Sequence, residues 1–322
     1  MAEGSDNGSP VFVYRGAAIA SYGFGNDHPF GPDRHDVFQA ELAAAGLGSA
    51  IRYAEPRRAS VDDLSLFHTA EYIDRVSRLS QEGRGFLDAG DTPAFPGVFD
   101  AARDVVGTTL AAVDAVMSGE AARAFVPIAG LHHAARANAA GFCVFNDCGV
   151  AVEYLRRQYG LTRIAYVDID AHHGDGVFYG FEDDPDLLFA DMHEDGRFLY
   201  PGTGSADETG TGPAKGTKLN IPMPPGADDR DFERAWARVV DYIDKGSPDF
   251  IIFQCGADSL AGDPLTHLAY SEEAHAGAAQ SLCELADLHC QGRIVGTGGG
   301  GYSRHNLARA WTRVVQAFAA GR

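Results

Sequence analysis

The stretch "RIAYVDIDAHHGDGVF", Arg163–Phe178, opens as an apolar, strand-like run and then packs three aspartates and two histidines into Asp168–Asp175. Two explanations compete for so many titratable groups in one place. They are ornament on a solvated loop, or they are ligands and proton carriers at the end of a buried strand. The second is what an open α/β sheet provides, because ligands collect beyond the carboxyl ends of its strands. The surroundings of the stretch decide between the two.

Working outward, β-branched runs alternate with helix-period segments along the whole chain, the pattern of a parallel sheet covered by helices on both faces. Strands are expected at Val11–Tyr14, Ala124–Ile128, Arg163–Ile169, Leu187–Asp191, Lys218–Ile221, Asp249–Gln254 and Arg293–Gly296. Helices are expected at Asp33–Ala45, Glu71–Leu79, Val98–Met117, Cys148–Gln158, Arg230–Lys245, Ser271–His289 and Ser303–Ala319. Ser60–Asp63 has the serine-to-acid spacing of a capping box. Polar clusters follow four of the strands, at Gly130–Ala134, Asp168–Asp175, Cys255–Asp258 and Thr297–Tyr302. Four strands then supply one rim. Two long Gly/Pro-rich loops, Gly83–Gly97 and Pro201–Gly216, are expected to shape its entrance, since loops of that length inside a compact domain are usually functional.

Composition narrows the partners. The chain of 322 residues carries a formal net charge of −19, which argues against nucleic acid, whose phosphates need basic patches. Its five cysteines have no regular spacing, as expected for a reducing compartment rather than a disulfide framework. The polar start "MAEGSDNGSP" lacks the pattern of a secretory signal, and no apolar run reaches the ~20 residues of a membrane helix. These features lead to an expectation of a cytoplasmic protein with no membrane or nucleic-acid partner. Residues 1–10 are expected to form a flexible tail, and 11–322 a single domain.

The rim can carry specific chemistry. Side chains alternate in an extended chain, so Asp168, Asp170 and His172 project to one face. Asp170 and His172 can grip one ion, and Asp258 in "FQCGADSLAGDP" offers a second carboxylate after another strand. Two carboxylates and an imidazole suit zinc or a neighbouring first-row metal, with one coordination position left for water or substrate. His132 and His133 in "AGLHHA" can face the same cleft from a loop, and Asp168 and Asp175 are left over to pair with them as orienting carboxylates. The run "GTGGGGYS" lacks the ending of a phosphate-binding loop, but its glycines allow the backbone a close approach and present Tyr302 as a hydroxyl donor.

With these clusters in view, the chain resembles the histone deacetylase family, a group that also holds bacterial acetoin-utilisation proteins and acetylpolyamine amidohydrolases. The resemblance runs from "DHPFGPDRHDVF" to "GGGGYS". It implies the arginase–deacetylase fold, a three-layer α/β domain around a parallel eight-stranded sheet. It implies zinc, or ferrous iron, at Asp170, His172 and Asp258. It pairs His132 with Asp168 and His133 with Asp175, makes His133 the general base and acid, and assigns Tyr302 to the substrate carbonyl. Phe142 and Tyr200 match the aromatic positions that sandwich an acyl-lysine stem, while Leu131, Gly141, Leu265 and Gly300 match further lining positions. Asp91 matches a rim aspartate that binds substrate backbone, and Arg34 an arginine beside a product channel. A potassium site would involve Asp168, Asp170, His172, Asp191 and Met192.

Two departures bear on these expectations. Asp191 stands where many members have serine, which bears on the potassium site. Leu265 stands where some polyamine-specific members carry a glutamate, which favours acetylated lysine in a protein or peptide over an acetylated polyamine. A dimanganese ureohydrolase on the same fold would use D-A-H-x-D and a later D-x-D, and "DAHHGD" and "GADSLAGD" depart from both. A catalytically silent binding protein would have lost a ligand or the tyrosine, and neither is missing.

Overall fold

Eight strands, all parallel, form the centre of the protein in the spatial order β2-β1-β3-β8-β7-β4-β5-β6. The computed structural model describes residues 9–25 and 28–321. Along the chain the elements are β1 (Val11–Tyr14), α1 (Ala17–Ala20), α2 (Asp33–Ala44), β2 (Ile51–Ala54), α3 (Val61–Leu64), α4 (Ala70–Glu82), α5 (Val98–Met117), β3 (Ala124–Val126) and α6 (Asp147–Tyr159). They continue as β4 (Ile164–Asp168), α7 (Asp175–Gly180), β5 (Leu187–Glu194), β6 (Lys218–Met223), α8 (Asp229–Gly246), β7 (Phe250–Gln254), α9 (Glu272–His289), β8 (Ile294–Thr297) and α10 (Arg304–Ala320). The expected single α/β domain with an eight-stranded parallel sheet is what forms. Of the tail expected over 1–10, residues 1–8 lie outside the described residues. Pro10 accepts a hydrogen bond from the Ala122 amide, and the Ser9 hydroxyl donates to Gly119.

Strand periodicity divides the core into two layers. In β4, Ile164 and Tyr166 face one side with α5 and α6, while Ala165 and Val167 face the other with α2, α8, α9 and α10. Both faces are covered, so the strands read as continuous apolar runs instead of alternating ones. The 60–63 capping box forms as expected: Ser60 accepts from the Asp63 amide and Asp63 from the Ser60 amide.

The differences from expectation have local causes. β3 stops at Val126 and not at Ile128, because Pro127 has no N–H to give to a ladder. β5 continues past Asp191 to Glu194, so its last turns carry buried Asp191, His193 and Glu194. β2 was not expected at all. It is a half-buried edge strand of mixed polarity, "IRYA", paired only to β1.

Register places the site. One rung aligns Val126, Thr297, Gln254, Asp168, Asp191 and Asn220 side by side, and it is the last rung of β3, β8, β7 and β4. The four polar clusters therefore leave four adjacent strands, β3, β8, β7 and β4, at one edge of the sheet.

Candidate active site and metal centre

At that edge Asp170, His172 and Asp258 come together, their ligand atoms all within 4.8 Å of one another and all buried. His172 Nδ1 lies 3.1 Å from Asp170 Oδ1 and 3.1 Å from Asp258 Oδ2. Asp170 and His172 leave β4 one turn beyond its end, and Asp258 sits in the 3-10 turn Ala257–Ser259 after β7. The backbone braces both carboxylates. Gly300 N donates to Asp170 Oδ2 at 2.8 Å, and Ala171 N donates to Asp258 Oδ1 at 2.8 Å. A Cβ on Gly300 would collide with Asp258 and crowd Asp170, so the glycine run of "GTGGGGYS" exists here for close approach.

The donor set fits a divalent cation. Burial, and next the nearby charge of Asp170, push the Asp258 carboxyl up to about 7. Burial opposes protonation of His172, but its hydrogen bonds to Asp170 and Asp258 outweigh that and hold it up at about 10. The proton so favoured on His172 marks where two dry carboxylates draw positive charge, which a divalent cation would supply in its place, and carboxylate oxygen with imidazole nitrogen suits zinc or ferrous iron.

Beside this cluster stand two histidine–carboxylate pairs. His132 Nδ1 is 2.8 Å from Asp168 Oδ2, and His133 Nδ1 is 2.7 Å from Asp175 Oδ1. The two Nε2 atoms are 3.2 Å apart. With each Nδ1 turned to a carboxylate, both Nε2 atoms face the same space. Burial lowers the His133 pKa, and the neighbouring His132 lowers it further. Burial opposes the charge on Asp175, but His133 outweighs it and keeps the carboxyl low.

Aromatic rings surround the pairs. Tyr200 lies edge-on to His133 at 5.2 Å between centroids, and Phe142 lies edge-on to Tyr302 at 5.9 Å. Gly141 sits between His133 and Tyr200 with φ +51°, and a Cβ there would strike the His133 ring. Tyr302 is half-buried, and its amide is fixed by Asp263 Oδ2 at 2.8 Å. Burial, and then the charges of Asp258 and Asp170, push its phenol well above the usual tyrosine value, which keeps it a donor. Asp91 and Tyr200 border an outer cavity of ≈ 690 Å³ together with Arg75, Asp88 and Asn138. Leu265 is exposed on the loop that Asp263 anchors, whereas Leu131 is buried beside His132. Arg34 is fully buried, donates to Gly301 O and Gly299 O, and keeps Nη1 without a partner.

The departure at Asp191 has a structural answer. Its Oδ1 pairs with His193 Nδ1 at 2.6 Å, and its Oδ2 accepts from Gly174 N at 2.8 Å. The extra carboxylate thus brings its own partner in His193, and its charge, after burial, still pushes the Asp168 carboxyl well above the usual range. Met192, by contrast, points into the apolar layer on the α8 side.

Several supporting residues escaped the sequence reading. Asn146 and Asp147 grip the histidine loop from both sides of its backbone. Asp147 accepts from Gly130 N and Leu131 N, while Asn146 Nδ2 donates to His132 O and Ala134 O. Gln254 donates to Asp170 Oδ2 at 2.9 Å, and Tyr166 OH donates to Asp168 Oδ2. The available signal was polarity inside apolar runs, as in "GFCVFND".

Fold and site together define a three-layer αβα protein whose parallel sheet ends in an aspartate–histidine–aspartate cluster beside two histidine–aspartate pairs. Residues 28–318 match the histone deacetylase domain. The chain belongs to the histone deacetylase family. It is 39% identical over 316 residues to the acetoin utilization protein AcuC of Bacillus subtilis, spanning 94% of this chain and 80% of that one. It is 36% identical over 280 residues to a probable deacetylase of Archaeoglobus fulgidus, spanning 86% and 77%. It is 32% identical over 303 residues to histone deacetylase clr6 of Schizosaccharomyces pombe, spanning 91% and 73%. Among solved structures, the HDA15 HD domain superposes with a TM-score of 0.89 at 28% identity, covering 98% of this chain and 89% of that one. Among the described residues no helix is long and apolar enough to cross a membrane.

Proposed function

We propose that this chain hydrolyses the amide of acetyl-lysine, or of a related acyl-lysine, to a carboxylate and a free amine. The observation that carries the reading is the convergence of Asp170, His172 and Asp258 beside His133–Asp175 and Tyr302. When bound by that triad, a divalent ion supplies Lewis acidity to the amide carbonyl and to a water.

The remaining chemistry falls to the chain's own groups. His133 Nε2 takes a proton from the attacking water, with Asp175 holding the ring and balancing the imidazolium that forms. The water oxygen bonds to the acyl carbon, and Tyr302 donates to the developing oxyanion from a phenol that burial keeps protonated. His133 then passes its proton to the leaving nitrogen as the C–N bond breaks, and the second proton of the water stays on the acyl product, which ionises to the carboxylate as the amine takes up that proton. His132, linked to Asp168, shares the space in which that proton waits. Phe142 and Tyr200 flank the alkyl stem, with Leu131, Gly141, Gly300 and Leu265 completing the lining, and Asp91 meets the substrate backbone at the rim. Arg34, whose buried Nη1 has no partner, offers the acetate a cation on its way out. Potassium, if held, would sit against Asp168 and the backbone of Asp170 and His172, since Asp191 is already paired with His193. The expected location is the cytoplasm.

Hydrolysis of acetylpolyamines is the second reading, favoured by the two rim carboxylates Asp88 and Asp91 at the outer cavity. Side-by-side turnover of an acetyl-lysine peptide and of acetylated putrescine or spermidine by zinc-loaded protein separates them. The expected result is a higher kcat/KM for the peptide. A large preference for the polyamine overturns the substrate assignment. Turnover of neither by zinc-loaded protein returns the chain to the class of silent binding proteins.

A further inference from the structure

Among the described residues, three other than glycine have positive φ: Phe142 at 67°, Ser247 at 49° and Gln291 at 59°. Ser247 caps α8, and Gln291 lies in the turn just after α9, places where a left-handed residue commonly ends a helix. Phe142 has no such excuse. It follows Gly141, also at positive φ, in the tight turn that joins Ala140 to Cys143, whose backbones exchange hydrogen bonds at 3.2 and 2.8 Å. Two-residue turns with both φ positive select Asn-Gly or Gly-Gly, and a bulky residue there is disfavoured. Strain of this kind persists only where the surroundings over-determine it.

The surroundings do so through two fully buried hydroxyls. The Phe142 N–H donates to Thr92 Oγ1 at 3.1 Å, and the Phe142 carbonyl accepts from Tyr22 OH at 2.7 Å. Tyr22 OH in turn accepts from Val144 N at 3.0 Å, so it spans the turn. Thr92 gives its own proton to Asp88 Oδ2 at 2.5 Å. Asp88 Oδ1 accepts from the amides of Gly90, Asp91 and Thr92, which fixes the rim turn that carries Asp91. Tyr22 and Thr92 are both 0% exposed, and the bonds they make to the Phe142–Val144 backbone join segments far apart in sequence.

We propose that Thr92, backed by Asp88, and Tyr22 are positioning residues. They hold Phe142 in its left-handed backbone and so set the wall that, on the deacetylase reading, discriminates between slender acyl-amine stems and broader ones. The inference rests on that reading for what the wall selects, but the clamp itself can be tested without it.

The test compares Thr92→Val, which keeps the shape and removes the hydroxyl, with Thr92→Ser, which restores the hydroxyl. For an acetyl-lysine peptide, Thr92→Val is expected to raise KM about tenfold, the effect of one lost buried hydrogen bond, with kcat within about threefold of wild type. Its preference for that peptide over an N-acetyl amine with a branched stem is expected to fall by a similar factor, and Thr92→Ser to recover both. A merely structural role would lower the melting temperature and scale turnover of both substrates alike, leaving KM and preference unmoved. That outcome overturns the proposal. A crystal structure of Thr92→Val provides an activity-independent reading: Phe142 φ is expected to leave the positive region, and retention of φ near +67° with an unmoved ring counts against the clamp. Should Thr92→Val not fold, Tyr22→Phe removes the other bond and carries the same two expectations. Failure of the deacetylase reading appears differently, as wild-type protein that turns over neither substrate, and the crystallographic result still decides the clamp.

Discussion

Phenylalanine in place of Tyr302 is expected to lower kcat by about 10²–10³, the usual consequence of removing one oxyanion donor, with metal content and melting temperature unchanged. The reasoning is local. The Tyr302 backbone is fixed by Asp263, its ring packs edge-on to Phe142, and the phenyl group of the variant keeps both contacts. Only the hydroxyl disappears. Burial and the charges of Asp258 and Asp170 hold that hydroxyl protonated far above neutral pH, so the wild-type donor is present throughout the assay range. A steady-state comparison at saturating substrate checks this, and a variant within a few-fold of wild type would remove Tyr302 from the reaction.

The second large effect is expected at His133. Replacing it with glutamine, which keeps bulk and polarity but cannot cycle a proton, is expected to cost about 10²–10⁴ in kcat, the range for a general base. The same change at His132 is expected to cost less. The two Nε2 atoms are only 3.2 Å apart, so geometry alone does not separate them. Their surroundings do. His133 lies against Tyr200 and Gly141, where the acyl stem would enter, whereas His132 is bound to Asp168 at the floor. Single-turnover rates for both variants, with bound metal measured in each, make the comparison. A larger loss at His132 would reverse the two roles.

Much of this architecture was legible in the residues, for identifiable reasons. Val98–Met117 and Val11–Tyr14 were readable to the residue because their patterns are sustained and their ends are marked, by Gly97 and Ser118 in the first and by Pro10 and Arg15 in the second. The rim was legible because a parallel sheet must deliver the ends of β3, β8, β7 and β4 to one edge, so titratable groups after apolar runs had to meet. β2 escaped because an edge strand buries only part of itself and "IRYA" carries no clear period. The end of β5 beyond Asp191 escaped because His193 and Glu194 look like loop residues until their burial, and their pairing with Asp191 and His267, are seen. For the clamp on the histidine loop by Asn146 and Asp147, polarity at the end of the apolar run "GFCVFND" was the signal, but it does not say what the two residues hold. Their partners are backbone groups, which leave no mark in a sequence. Thr92 is the extreme case, a single hydroxyl whose meaning lies entirely in the left-handed turn it holds.

The proposed catalytic roles depend on Asp170, His172 and Asp258 being able to hold one cation between them. Metal counting by mass spectrometry on protein stripped with chelator and reloaded with zinc, for wild type and for Asp258→Ala, tests it most directly. The expected result is one tightly bound zinc per wild-type chain and none retained by the variant. Two tightly bound ions per chain, or an unchanged count in Asp258→Ala, would contradict it.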